Sequence, residues 1–375
     1  MNNLNNFLRK STLKILLIRG ITIAFGFLLV PLTYNYLGDY GYGIWATIFS
    51  FANWINLMDV GISNGLRNDL TKSIEIRDFQ RSRSLISTGY ISLGIITVLL
   101  GVVTFLINKF FDIGSILDRD STIDFSTLLL LSLILMLLNL YVKLIHSIFY
   151  AIQKSHWIFI VNLLSNTLIY LILFLYTPVL SEIGELYLVS GVFLGVPIII
   201  YIIVSFIFLK KMDLVPTLGD YSRSHLKGII NLSSQFFIIQ MAVVIVNTSD
   251  TFIINTLFSP QATANFSILN KYASVVLILT TTFFTPLWAL YTKAHMERRY
   301  SWIRKIIRRQ RFATLLVALA SIVLVLLSGP VFKFWIGKAF TFSYTTLISL
   351  FVIVVAHYWS NVHAIYLNGI GELKL

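Results

Sequence analysis

Ten apolar segments, each about 20 residues long, constrain this chain more than any other feature of its sequence. A segment of about 20 residues crosses the hydrocarbon core of a bilayer as a helix, whereas a barrel strand needs only about 9–11 residues. Charged residues make up 12% of the chain, against about 25% in soluble domains, so the apolar side chains lack a sufficient polar cover. The sequence therefore predicts an all-α polytopic membrane protein and excludes an ordinary soluble enzyme or a disordered scaffold. The predicted spans are 14–36, 43–65, 84–108, 126–150, 157–177, 186–209, 229–250, 265–290, 312–330 and 344–367.

The basic residues are distributed unevenly between the predicted loops. With the N-terminus in the cytoplasm, the cytoplasmic loops hold 22 of the 29 Lys and Arg residues and the opposite loops hold four. Because Lys and Arg concentrate on the cytoplasmic side of membrane proteins, this orientation is the predicted one. The net charge of +13 then follows from topology and predicts no nucleic-acid partner. The chain has no Cys, which excludes disulfides, thiol catalysis and Cys-ligated zinc.

Two short turns indicate an internal repeat. The segment Leu37–Trp45 joins spans one and two, Phe258–Phe266 joins spans seven and eight, and both carry small residues at matching steps. Parallel repeats of this kind predict two lobes around a central cavity. We predict a six-helix N-terminal lobe over 1–209 and a C-terminal lobe over 210–375 with four helices present, two fewer than a matching lobe would have.

The most distinctive strings lie in the first 70 residues. They are YGIW (Tyr42–Trp45) and MDVGISNGLRN (Met58–Asn68), with a weaker match in LNGIGELKL (Leu367–Leu375). Through them the chain closely resembles Wzx-type flippases, which belong to the polysaccharide-transporter branch of the multidrug/oligosaccharidyl-lipid/polysaccharide exporter superfamily. The resemblance implies a MATE-like fold of twelve helices in two lobes, against the ten spans predicted here.

The resemblance also implies a function. A protein of this kind moves an undecaprenyl-pyrophosphate-linked oligosaccharide repeat unit from the cytoplasmic to the periplasmic leaflet of the bacterial inner membrane by alternating access. It needs no bound cofactor, although a proton or sodium gradient can be coupled to the step. Its implied partners are the lipid-linked oligosaccharide, the bilayer, and the polysaccharide polymerase and chain-length machinery.

Charged and polar residues inside the spans are costly in a bilayer, so they normally face a cavity or a partner. In span four, a stripe that includes Asn139, Lys143 and His146 falls within an arc of roughly 120°. In span two, a polar set that runs from Asn53 to Arg67 falls within roughly 140°. Because cations attract pyrophosphate, we predict a cationic substrate cavity. Its predicted residues are Arg19, Asn53, Asn56, Asn139, Lys143 and Lys271.

Three further residues, Asp59, His146 and Asp250, are candidates for ion coupling. Each has a plainer alternative. Asp59 can pair with Arg67 or Arg19, His146 can be a hydrogen-bonded core residue, and Asp250 can face solvent at the outer mouth. Arg19 can also extend to the cytoplasmic headgroups instead of facing a cavity.

The loop Thr292–Arg311 carries eight basic residues and an apolar set around Trp302 and Ile306. This pattern predicts an amphipathic helix that lies on the anionic leaflet. We predict that Arg67, Arg304 and Arg308 capture the lipid pyrophosphate at the cytoplasmic face.

Two other classes of function stay open at this point: a drug or small-solute antiporter of the same superfamily, and a membrane polymerase or glycosyltransferase. The chain has no G-x-x-x-x-G-K-[ST], H-E-x-x-H or G-x-S-x-G string, and Asp118-Arg119-Asp120 is a weak metal-binding motif. Three cations stand against two acids within the spans, which favours an anionic cargo over a cationic drug. We therefore predict a membrane transporter and no enzyme, with no metal site.

Overall fold

The computed structural model describes residues 2–59, 61–111, 113–117, 125–227, 229, 241, 245, 249–337 and 342–370, and every regular element in them is helical. Seven stretches of this described part are long and apolar enough to cross a membrane. The helices are α1 (Asn2–Asn56), α2 (Ile62–Glu75), α3 (Phe79–Phe110), α4 (Ser126–Val142), α5 (Ile145–Ala151), α6 (His156–Leu175), α7 (Glu182–Lys211), α8 (Pro260–Met296), α9 (Tyr300–Ile336) and α10 (Tyr344–Ile370).

Predicted spans one and two both lie in α1, on either side of Gly38. That residue has φ 64° and ψ −173°, a backbone conformation that is essentially restricted to glycine. Helical hydrogen bonding therefore stops and restarts there, and α1 consists of two helices. The structure thus confirms the turn that the sequence places between these two spans.

The predicted end of span two at residue 65 is wrong. The helix ends at Asn56, a 3₁₀ turn follows over Leu57–Asp59, and Gly61 at φ 77° precedes α2. A glycine in the left-handed region interrupts the helical path. The polar arc predicted from Asn53 to Arg67 assumed a continuous helix, so it does not describe one face of one element.

Predicted span four is confirmed over Ser126–Ala151, with a tightened turn between α4 and α5. At this turn the amide N–H of His146 donates to the carbonyl of Lys143 at 2.9 Å, a 3₁₀-type bond. The side-chain stripe of this span therefore continues from α4 into α5. Of the other predicted spans, 84–108, 157–177 and 186–209 correspond to α3, α6 and α7, whereas 229–250 lies largely outside the described residues.

The chain forms two compact units, Met1–Ala264 and Asn265–Leu375. In the first unit, α1 packs on α6 and α7, and α4 packs on α3 and α7. In the second unit, the Tyr272 hydroxyl donates to the Leu324 carbonyl at 2.9 Å and joins α8 to α9. The lobe boundary predicted after residue 209 stays a prediction; by compactness, 210–264 belongs with the first unit.

The interfacial helix predicted over Thr292–Arg311 is wrong. The chain turns at Glu297–Arg299, where Arg298 has φ 54°, and α9 then runs without a break from Tyr300 to Ile336. No Gly or Pro lies between Arg299 and Ser328, so nothing in the sequence stops the helix where the basic stretch ends. The apolar side of the basic stretch packs inward against α8 and α10 through Ile303.

Candidate transport site

One face of α5 and the preceding turn is accessible, although the rest of this segment is buried. Between Val142 and Ala151 the only residues that are not buried are Lys143, His146 and Tyr150. Their spacing of three and then four residues places them on one face of a helix. Lys143 and His146 of the predicted stripe thus lie on one partly exposed face, together with Tyr150, whereas Asn139 is buried. The set of Lys143, His146 and Tyr150 is called the open stripe below.

His146 is held in the open stripe by a hydrogen-bonded chain across three helices. Its Nε2 lies 2.8 Å from the Tyr201 hydroxyl on α7, and that hydroxyl donates to Asn162 Oδ1 on α6 at 2.8 Å. The His146 and Tyr201 rings also meet edge to face at 5.1 Å. Because Tyr201 is only 1% exposed, these bonds satisfy a hydroxyl that is removed from solvent.

Arg67 extends the open stripe from a neighbouring helix. Its guanidinium carbon lies 4.4 Å from the centre of the Tyr150 ring, so α2 contributes a cation over the aromatic face at the end of α5. Arg67 itself is exposed. Two of the predicted functional cations thus lie at the two ends of one series of residues, Lys143 at the start of the open stripe and Arg67 over its last ring.

Asn139 has a different environment from the one predicted. It is buried, and its Nδ2 donates to the Leu194 carbonyl on α7 at 2.9 Å and to the Leu135 carbonyl at 3.3 Å. Both hydrogen bonds are accepted by main-chain carbonyls of packed helices. The structure therefore places Asn139 in the α4–α7 interface and not on the accessible face.

Asp59 stabilises the start of α2. Its carboxylate accepts the Gly61 N–H at 2.8 Å and the Ser63 N–H at 3.3 Å. An acid in this position satisfies amides that have no partner in the first turn of a helix. The described contact of Arg67 is Tyr150, so the predicted pairing of Asp59 with Arg67 is not the arrangement found. A role of Asp59 in ion coupling remains a prediction.

The remaining predicted residues are spread over the fold. Arg19 and Asn53 lie in α1, but their side chains are outside the described residues. Asn56 ends α1 and is exposed, and Asp250 is exposed in a helical stretch before Pro260. In the second unit, Lys271 is half-buried on α8, whereas Arg304 and Arg308 are exposed on the first turns of α9.

Two residues of the site, Tyr201 and Asn162, have no signal of their own in the sequence. Each is one of several polar residues scattered through an apolar span. A half-buried His146 does require a hydrogen-bond partner, but the helix that supplies it depends on tertiary packing.

Among the residues that the structure describes, no group of three or more His, Asp or Glu side chains is arranged to hold a metal ion.

Solved structures with a similar fold are multidrug and related transporters. An inward-facing MATE-family multidrug resistance transporter of the MOP superfamily matches with a TM-score of 0.71 at 16% identity, over 94% of this chain and 81% of that chain. A MOP-superfamily transporter from Pyrococcus furiosus, described as having a binding pocket of reversed polarity, matches with a TM-score of 0.56 at 15% identity, over 94% of this chain and 82% of that chain. These likenesses establish a MATE-like fold and confirm the predicted fold class.

Sequence relatives identify the family. A protein of Yersinia pseudotuberculosis, provisionally assigned to O-antigen export, is 21% identical over 361 residues, which is 95% of this chain and 82% of that protein. The model of the polysaccharide biosynthesis protein family matches residues 8–291. The predicted membrane transporter, rather than an enzyme, agrees with these relatives. With three quarters of its length matched by that model, the chain belongs to the polysaccharide biosynthesis protein family.

Proposed function

We propose that the protein is a flippase that moves an undecaprenyl-pyrophosphate-linked oligosaccharide repeat unit from the cytoplasmic to the periplasmic leaflet. The observation that carries this proposal is the open stripe, with Lys143 and His146 accessible on a helix that is otherwise buried. A pyrophosphate diester carries about two negative charges, and a bare ion in a bilayer costs many kcal/mol. Fixed cations on an accessible face lower that cost.

The contacts of the stripe suggest how the cargo is received. Arg67 lies over the exposed Tyr150 ring, so it can meet the pyrophosphate with a planar, two-pronged donor. Lys143 lies two turns away along the same face and has no hydrogen bond or ion pair among the described side chains. Its ammonium is therefore available as a point charge for a passing anion. Arg304, Arg308 and Lys271 are proposed to act in the same way in the second unit.

The wider setting is also proposed. The family and the Yersinia relative support a protein of the bacterial inner membrane that serves surface-polysaccharide assembly. The proposed cytoplasmic position of the N-terminus rests on the distribution of Lys and Arg between the predicted loops. Alternating access and coupling to a proton or sodium gradient belong to the same proposal. The polysaccharide polymerase and chain-length machinery are its proposed partners.

A drug or small-solute antiporter is the second candidate, and the MATE-like fold favours it. Against it, the side chains of the open stripe and its extension that can carry a charge near neutral pH are the bases Lys143, His146 and Arg67, whereas a cationic drug needs acids. The two candidates predict different effects on transport when the positive charges of the open stripe and of Arg67 are removed.

Complementation of a strain that lacks its own flippase tests the proposal. Lys143→Gln and Arg67→Gln should each reduce surface polysaccharide, because a charge-assisted contact contributes about 1.5–3 kcal/mol, or roughly tenfold to hundredfold in binding. Lys154→Gln is the matched control, since Lys154 is exposed just beyond α5 and off the stripe. Full complementation by both stripe variants, at wild-type protein levels, would contradict the proposal.

A further inference from the structure

We propose that the second unit binds an anionic glycerophospholipid in the groove between α9 and α10. One acyl chain of this lipid lies along the groove, and the phosphodiester of its headgroup lies at Arg311. The occupant is a resident lipid of the bilayer and not the transported cargo, so this inference does not rest on the proposed function.

The groove lies between two helices that are each long and apolar enough to span the membrane. It has a volume of about 880 Å³ and extends on α9 from Thr314 to Leu326 and on α10 from Trp359 back to Ile348. At a rise of 1.5 Å per residue the α9 side is roughly 18 Å long, against about 15 Å of hydrocarbon in one leaflet. The groove therefore has the length that a lipid chain of one leaflet occupies.

The surface of the groove suits hydrocarbon. Its walls include Ile322, Leu326 and Val352, which are all more than half exposed. Two hydroxyls that line it, those of Thr314 and Ser321, are buried and donate to carbonyls one turn earlier in α9, at 3.3 and 2.8 Å. Because these hydroxyls already have acceptors, they do not select a polar ligand.

Arg311 is held at the Trp359 end of the groove by two contacts. Its guanidinium carbon lies 5.7 Å from the centre of the Trp359 ring, and its Nη2 lies 3.1 Å from His363 Nε2. The Trp359 carbonyl can only accept, so the hydrogen of a neutral His363 lies on Nδ1, 3.1 Å away, and Nε2 accepts from Arg311. Arg311 is exposed and has further N–H donors for an anion.

The charge around this end of the groove is positive and uncompensated. Arg304, Arg308 and Arg311 fall within about 60° of one face of α9, and Arg311 is the member that contacts a groove residue. Neither α9 nor α10 contains an Asp or Glu. Basic pockets between membrane helices bind anionic lipid headgroups, and Trp is enriched at headgroup depth. An apolar groove with a cationic end therefore fits a lipid with a net negative headgroup, and the predicted orientation places that lipid in the cytoplasmic leaflet.

Native mass spectrometry of the purified full chain in detergent counts bound lipids and copies of the chain in one spectrum. The probes are dioleoyl phosphatidylglycerol, dioleoyl phosphatidylcholine with the same chains, and glycerophosphoglycerol, which is the anionic headgroup without chains. We expect one phosphatidylglycerol to bind about tenfold more tightly than phosphatidylcholine, because its headgroup has no cation to oppose Arg311. Glycerophosphoglycerol should not bind.

The headgroup contact is tested by Arg311→Gln, which should abolish the preference for phosphatidylglycerol, and by Arg311→Lys, which should retain part of it. Arg309→Gln is the matched control. It removes one exposed charge from the same turn, about 160° away around α9, and should retain the full preference. The ratio of the two affinities is compared within each variant, so a general loss of stability does not imitate the expected result.

The chain contact is tested by Ala356→Trp. Ala356 is exposed in the groove, so the larger ring should weaken binding of both lipids while Arg311 is unchanged. Ala320→Trp is the control, since Ala320 is exposed on α9 outside this groove, and it should bind as the wild type does.

Four results would overturn the inference. Equal affinity of the wild type for the two lipids, or a preference that survives Arg311→Gln, would remove the headgroup site. Equal effects of the two Trp substitutions, or tight binding of glycerophosphoglycerol, would remove the chain from the groove. A dimer that only Ala356→Trp dissociates would assign the groove to a second copy of the chain. Displacement of phosphatidylglycerol by a more tightly bound prenyl diphosphoryl sugar would assign it to the cargo.

Discussion

At the scale of single residues, the site depends on what surrounds each polar side chain in the bundle. Lys143 and His146 remain accessible because their neighbours Val142, Leu144 and Ile145 take up the packing positions of this segment. Partial exposure leaves the Lys143 ammonium within reach of an anion. The functional stripe is thus a consequence of packing on the other faces of α4 and α5.

The Tyr201 hydroxyl gives a residue-scale prediction. Tyr201→Phe removes the acceptor of His146 and the donor to Asn162 and leaves polar groups without partners. We expect a loss of about 1–3 kcal/mol in the free energy of unfolding, measured by thermal unfolding in detergent. Tyr141→Phe is the control, because the structure gives the Tyr141 hydroxyl no hydrogen bond within its described surroundings. Equal effects of the two substitutions would disprove the proposed chain of hydrogen bonds.

Residue spacing predicted the stripe of Lys143 and His146, because a helix places every third and fourth residue on one face. It could not predict that Asn139, in the same arc, lies in a helix interface. An arc on a helical projection does not show which part of it a second helix covers. The contact of Asn139 with Leu194 joins residues that are far apart in the chain.

At the scale of elements, the segment Asp213–His225 is docked on the first half of α3. Asp220 pairs with Arg83 at 2.8 Å, and its carbonyl accepts the Ser84 hydroxyl at 2.7 Å. The amides of Thr217 and Ser222 donate to the hydroxyls of Ser87 and Thr88, at 3.1 and 3.0 Å respectively. The stretch between predicted spans six and seven is therefore tied to a helix. Its partners lie 130 or more residues earlier in the chain, so the sequence alone does not show this contact.

This docking should weaken as the pH falls. Burial, and next the charge of Arg81, lower the pKa of His225, whose Nδ1 lies 3.0 Å from the Ser84 hydroxyl. A histidine with a lowered pKa contributes stability above its unfolded pKa of about 6.5, and this contribution is lost as pH falls through the folded pKa. Hydrogen exchange of 213–225 should be faster at about pH 5.5 than at about pH 7.5, after correction for the intrinsic rate. The same ratio in His225→Gln would show that another group is responsible.

The sequence predicted a helix correctly where an apolar segment of membrane-spanning length is enough to determine it. The helices α3, α6 and α7 were predicted for this reason. The end of span two was not, because Gly61 adopts a left-handed conformation within a run that is otherwise suited to a helix. The continuity of α9 through its basic stretch was also missed, because the charge density was taken as a boundary although the stretch contains no helix-breaking Gly or Pro.

At the scale of the whole molecule, the fold and the site have different sources. Hydropathy determines a polytopic helical protein, and the solved MATE-family transporters show that the same fold accommodates drug transport. The chain's own bundle leaves positive charge partly exposed. In the first unit, that charge lies at Lys143 and extends to Arg67 on the Tyr150 ring. The central claim is that this charge selects a pyrophosphate-linked cargo.

Reconstituted transport of two carriers tests that claim most directly. Both carriers have the same short polyprenyl chain and the same sugar, joined through a diphosphate in one and through a monophosphate in the other. We predict that the wild-type protein in proteoliposomes moves the diphosphate carrier faster and that Lys143→Gln reduces this preference about tenfold or more. Lys143→Arg should retain part of the preference, and Lys154→Gln should retain all of it. An unchanged ratio of the two rates in Lys143→Gln, at equal protein density, would contradict the account.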